Sequence, residues 1–116
     1  MRPLLIKVTV GDDAPERSLQ GLTVAAVAAA SGASVSLWLA GQSVHLATGA
    51  ELVLPFSPPA SELLTTVLGL GRVTACTQCL VRRTLTEHDL LPGVAVGGAA
   101  GFVAEALEDG VQALVY

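Results

Sequence analysis

The stretch VTACTQCLVRR, Val73 to Arg83, carries both cysteines of the chain, Cys76 and Cys79, with two residues between them. Arg82 and Arg83 lie three and four positions beyond Cys79, a spacing that lets both share its face of a helix. Two thiols at this distance in sequence can work as a reversible redox pair, supply half of a metal site, handle sulfur as nucleophiles, or simply pack as small core residues. The reactive form of cysteine is the thiolate, and positive charge beside the sulfur favours it. Arg82 and Arg83 would supply such charge, and a helix starting near Cys79 would add partial positive charge of its own.

Other chemistries have weaker support. Structural zinc takes four ligands, commonly from two such cysteine pairs. Here His45 and His88 alone could complete the set, and neither stands at ligand spacing. No metal site is therefore expected. Asp12, Asp13 and Glu16 read as the capping residues of a helix start. The glycines of GLGR and VGGAAG make neither a GxGxxG nor a GxxxxGK[ST] phosphate loop, no serine–histidine–acid signature is visible, and no cofactor is expected. A thioredoxin reading fails on position, because that fold carries its motif after an early strand and this pair begins at residue 76 of 116.

To act, these thiols must be held by a folded frame. With 52% hydrophobic and 14% charged residues, the chain is too apolar to be disordered. Its 116 residues suggest one domain, residues 1–116. A chain of this size hides only about two-thirds of its surface by folding alone, so subunit interfaces are expected to cover part of the apolar remainder. The net charge of −4 and 3% aromatic content argue against nucleic-acid binding. The opening MRPLLIKVTVGDD is too short in its apolar part for a signal peptide and contains Lys7. Residues 18–50 lack formal charge but are broken by Gly21, Gly32 and Gly41, so no membrane span is expected.

Strand and helix signals alternate. PLLIKVTVG reads as a buried strand. In GDDAPER, Asp13 would cap a helix with Pro15 in its first turn and Glu16 completing a capping box. Leu19, Leu22, Ala26, Val27 and Ala30 would form that helix's inner face. SVSLWLAG is a second strand and GQSVHLATGAEL a short helix. After the proline-rich LPFSPPAS, Ser57 or Ser61 would cap a helix whose apolar face is Leu63, Leu64, Val67 and Leu68, ended by Gly69 and Gly71. RVTAC is a third strand, QCLVRRTL a helical turn or two, and TEHDLLPG a short capped helix. VAVGG is a fourth strand. AGFVAEALEDG is a helix with Phe102, Val103, Ala106 and Leu107 inward, and VQALVY is a closing strand. This order predicts an α/β fold with a parallel sheet covered by helices on both faces. Binding sites in such sheets lie at the carboxyl ends of the strands. There the reading places three loops: Gly11–Asp13, Gly41–Ser43 and Cys76–Cys79.

Taken together, the segments LLIKVTVG, DDAPER, SVSLWLAG, QSVHLAT, ACTQCLVRRT and the tail from LLPG onward resemble, in that order and over nearly the whole chain, the DsrE/DsrF-like family, which includes TusD-like sulfur-relay proteins. Cys76 with Arg82 and Arg83 matches the family's strand-end cysteine followed by basic residues six and seven positions on. The resemblance implies a flavodoxin-like three-layer sandwich with a five-stranded, mainly parallel sheet, assembled as a homotrimer or homohexamer. It implies a small cytoplasmic sulfur-transfer protein, a sulfurtransferase or sulfur carrier. Cys76 would be its sulfur acceptor, holding the sulfur as a persulfide between donor and acceptor proteins. Cys79 would be a resolving or modulating thiol, with Arg82 and Arg83 supporting the anion or contacting partners. A second thiol so close can resolve a persulfide to a disulfide with loss of sulfide. Two alternatives stand beside this reading: an oligomeric binding or scaffold module with inert thiols, and a thiol–disulfide redox protein using Cys76 and Cys79 as its pair.

Overall fold

The structure, a computed structural model, describes all residues from Met1 to Tyr116. Five strands, β1 (Leu4–Val8), β2 (Val35–Leu39), β3 (Arg72–Cys76), β4 (Ala95–Gly97) and β5 (Gln112–Val115), form one sheet in the order β4-β3-β2-β1-β5. Every neighbouring pair is parallel. The helices are α1 (Pro15–Ala30), α2 (Ala60–Leu70), α3 (Thr77–Arg82) and α4 (Ala99–Ala106), with 3-10 helices at Gly41–Thr48 and Glu87–Asp89. The α/β fold with a five-stranded parallel sheet expected from the sequence is the one observed.

The chain steps from β1 to β4 in one direction and then jumps back to the far side of β1. Crossovers between parallel strands are right-handed, so the return connection must lie on the opposite face from the outward ones. Accordingly α1 and α2 cover one face, where Ile6, Val8, Leu37, Leu39, Val73 and Ala75 join the main core. The other face carries Leu5, Lys7, Ser36, Trp38 and Thr74, by their alternation in register. The eight-residue α4 lies against it. Trp38 anchors that helix: its indole meets Phe102 edge-to-face at 5.6 Å and its Nε1 donates to the Glu105 carboxylate at 2.6 Å. Ser36 Oγ donates to the same carboxylate, and Lys7 Nζ sits 4.7 Å over the Phe102 ring. Gly97 is required here, because a Cβ would stand 2.8 Å from the indole Cη2.

Several local expectations are corrected. Asp13 does not cap α1: the N-cap is Ala14 without a side-chain bond, and Asp13 Oδ1 instead accepts from the Gly11 N–H at 2.8 Å, closing the loop itself. Neither Ser57 nor Ser61 caps α2, whose N-cap is Pro59; the Glu51 carboxylate accepts from the Ser61 N–H in that role. Gly69 lies inside α2, and the helix stops only at Gly71. The buried stripe of α1 is Ser18, Leu19, Gly21, Leu22, Ala25, Ala26 and Ala29, whereas Val27 is 60% exposed and Ala30 is exposed. On α4, Val103 and Leu107 point outward. The Thr86–Asp89 capping box does form.

Ser18 is fully buried and its hydroxyl has no hydrogen-bond partner. A buried unpaired hydroxyl is costly, and alanine is the better helix former. Ser18→Ala is expected to stabilise the protein by about 1 kcal/mol, raising Tm by roughly 4 °C in a thermal melt. A lower Tm would mean that the hydroxyl serves a contact that alanine loses.

Candidate functional site

β3 ends at Cys76, which is also the N-cap of α3, and Cys79 lies one turn into that helix. The strand-to-helix switch thus puts the two thiols side by side at the carboxyl edge of the sheet. Their burial differs: Cys79 is 8% exposed and belongs to the core cluster, whereas Cys76 is half-buried. Both are free thiols.

Cys79 is held from two sides. The Gly41 N–H, at the start of the Gly41–Thr48 helix, donates to Cys79 Sγ at 3.1 Å. Arg83 reaches back one turn to donate from Nη1 to the Cys79 carbonyl at 3.1 Å, while its Nε donates to Gln42 Oε1 at 3.2 Å. Gly41 adopts φ +54°, and a Cβ there would run into the Thr9 carbonyl; only glycine brings this N–H to the sulfur without strain. The loop behind it is pinned by Ser43, whose buried hydroxyl reaches the Val8 and Ala40 carbonyls at 2.7 Å each. Gly11 in turn packs against the Gln42 carbonyl. The three loops expected at this end of the sheet therefore stack in series, Gly11 on Gln42 and Gly41 on Cys79.

The two thiols have opposite proton affinities. Burial, and the hydrogen bond that Cys76 donates to Cys79, push the Cys76 thiol up. Burial alone would raise Cys79 as well. It is outweighed by the bond from Cys76, the Gly41 N–H and the guanidiniums of Arg83 and Arg82, so Cys79 lies below the ordinary thiol range. The two shifts run in opposite directions and make Cys79 the more acidic thiol of the pair. Cys76 Sγ also approaches Gln78 Oε1 at 3.6 Å.

Sequence reasoning brought Cys76, Cys79, Arg82 and Arg83 to one end of the fold, and the structure gathers them there, with Arg82 exposed and Arg83 half-buried. It placed the Gly41–Ser43 loop at the same end but gave Gly41 and Gln42 no part in holding Cys79. Their part depends on a contact across 38 residues, and a glycine after a strand is the one local signal for them. No group of three or more His, Cys, Asp or Glu side chains gathers for a metal ion. None of the surface cavities is lined by either cysteine. No helix is long and apolar enough to cross a membrane.

Two solved structures share this architecture over the full length of both chains. The YchN protein from E. coli superposes with a TM-score of 0.81 at 18% identity. MTH1491 from Methanobacterium thermoautotrophicum, described as a protein of unknown function, superposes with 0.73 at 16%. At these identities the likeness is one of fold. No curated protein matches the chain by sequence. Residues 3–116 match the DsrE/DsrF-like family, and with that match spanning almost every residue, the chain belongs to the DsrE/DsrF-like family.

Proposed function

We propose that this protein is a persulfide-carrying sulfur-transfer protein of the reducing cytoplasm, with Cys76 as the sulfur acceptor. The observation that carries the reading is the thiol pair itself: a half-buried Cys76 at the carboxyl end of β3, with the sheltered Cys79, held by the Gly41 N–H, within the next helical turn. Cys76 reacts as its thiolate. The thiolate attacks the outer sulfur of a donor persulfide, R–S–SH. The donor S–S bond breaks, R–S⁻ leaves, and Cys76–S–SH forms. Attack by an acceptor thiolate on the outer sulfur then returns Cys76 as the thiolate. Because Cys76 lines no cavity, its surroundings suit handover between proteins better than enclosure of a small substrate.

The family membership supports the same reading at a coarser level. Self-assembly, as a homotrimer or homohexamer, belongs to it. β5 is exposed along its whole length, and Val103, Leu107 and Val115 are 50%, 78% and 64% exposed, an apolar surplus that a second copy would cover. Light scattering on the purified protein reads the assembly directly, and a monomer at all concentrations would refute it.

The transfer step is tested by loading the protein from a persulfide donor, removing the donor, and adding a thiol acceptor. The reading expects the acceptor to gain one sulfur as the carrier loses it; a loaded protein that never yields sulfur would overturn it. Cys79→Ser is expected to prolong the Cys76 persulfide by roughly tenfold, since the neighbouring attacker is gone. An unchanged decay rate in that variant would remove Cys79 from the chemistry. The contact between the thiols also favours a second reading, a reversible Cys76–Cys79 redox pair, for which oxidation would yield the disulfide with no sulfur gained.

A further inference from the structure

The cradle around Cys79 is more elaborate than a core thiol needs. A buried cysteine packs as a small apolar group and asks for no donor. Here a glycine in left-handed conformation aims its N–H at the sulfur, and one arginine ties that loop to the helix carrying the cysteine. The two Arg83 bonds reach two different elements. Their targets, Gln42 Oε1 and the Cys79 carbonyl, flank the bond from Gly41 to Cys79 on either side. Only the guanidinium fork spans both; a lysine ammonium replaces the charge without the geometry.

We propose that Arg83 is a positioning residue: by bridging Gln42 and the Cys79 carbonyl it holds the Gly41 N–H on Cys79 Sγ, and so arms Cys79 to resolve a persulfide on Cys76. This rests on the proposed sulfur loading of Cys76. In the resolving step the Cys79 thiolate attacks Cys76 Sγ and a Cys76–Cys79 disulfide forms. The bond from Cys76 Sγ to the outer sulfur breaks, and that sulfur leaves as HS⁻. The protein is thereby oxidised by two electrons and the carried sulfur is reduced to sulfide. The clamp thus sets how long sulfur stays on the protein, limiting carriage when no acceptor arrives.

The titratable groups on the elements packed around Cys79 are Cys76 and Arg72 on β3, His45 on the Gly41–Thr48 helix, and Arg82 and Arg83 at the end of α3. Cys76, Arg83 and Arg82 act on the sulfur most strongly among them, together with the uncharged Gly41 N–H. Charge and positioning must therefore be separated by experiment. In a Cys76→Ser background Cys79 is the sole thiol, and its ultraviolet thiolate absorbance can be followed against pH without any reagent having to reach it. Gln42→Ala removes the clamp and leaves every charge in place. It is expected to move the midpoint up by about one pH unit, a tenfold loss of thiolate at neutral pH. Arg83→Gln should move it at least as far, and Arg83→Lys should fail to restore it fully. If Gln42→Ala and Arg83→Lys both titrate like the parent while Arg83→Gln does not, charge alone acts and the positioning role is refuted. If none of the three shifts, the cradle has no hold on the sulfur. With both cysteines present, Gln42→Ala should slow sulfide release several-fold, measured per molecule of loaded protein; release at the parental rate would overturn the role in resolution. A parent protein that takes up no sulfur would defeat the loading reading, and the thiolate titration would still decide the clamp.

Discussion

Cys76→Ser is expected to abolish sulfur loading, a loss on the order of a hundredfold or more, because a serine hydroxyl does not replace a thiolate as a sulfur nucleophile. The substitution is a clean one. Residue 76 is the N-cap of α3 and makes no side-chain capping bond, and serine is among the preferred residues there, so the variant should fold at least as well as the parent. The remaining thiol, Cys79, keeps its Gly41 donor but is 8% exposed, which shields it from a bulky donor. Loading measured by intact mass in the two single-cysteine variants checks this. Sulfur that still accumulates on Cys79 in Cys76→Ser would reassign the acceptor to the buried thiol.

The largest effect on stability is expected from Trp38→Ala, a loss of about 3–5 kcal/mol. The indole is 4% exposed and is the piece around which the second face of the sheet is built: Phe102 meets it edge-on, Glu105 accepts its N–H, and Gly97 and Gly101 admit it at close range. Truncation opens a cavity and takes from Glu105 one of its two donors in a partly buried place, where a lost partner is costly. Such a loss is a large part of the 5–15 kcal/mol typical of a domain. Trp38→Phe should cost less, keeping most of the volume and losing the N–H. Because this is the only tryptophan, unfolding in denaturant should be followed by circular dichroism rather than fluorescence. A loss below about 1 kcal/mol for Trp38→Ala would mean that α4 docks independently of the indole.

The strands were legible because each is a short, dense apolar run between turn residues. Their alternation with helices was enough to give a parallel α/β sheet and to put Cys76 at a strand's carboxyl end. The faces of the helices were harder. In a chain that is 52% hydrophobic, several stripes of a helix are apolar, and periodicity cannot say which one meets the sheet. On α1 the buried stripe runs through Ser18 and Gly21, small residues that hydrophobicity undervalues; Gly21 is there because a Cβ would stand 2.6 Å from Val8 Cγ2. The price of that close approach is Val27, turned out to solvent. On α4 the outward Val103 and Leu107 follow from Trp38 and Glu105, which fix the helix by a hydrogen bond no periodicity contains. At the site, the cysteines and arginines were visible as a local motif. The Gly41–Ser43 loop was placed at the same end, but the bonds from Gly41 to Cys79 and from Arg83 to Gln42 were not legible, because they join segments that meet only through the sheet.

The central claim is that Cys76 takes up a sulfur atom, and the most direct measurement is the intact mass of the native protein after incubation with a persulfide donor, followed by peptide mapping across residues 73–83. The account predicts the gain of a single sulfur atom, mapped to Cys76. A protein that returns only its starting mass, or only a Cys76–Cys79 disulfide with no sulfur gained at any time, would contradict it.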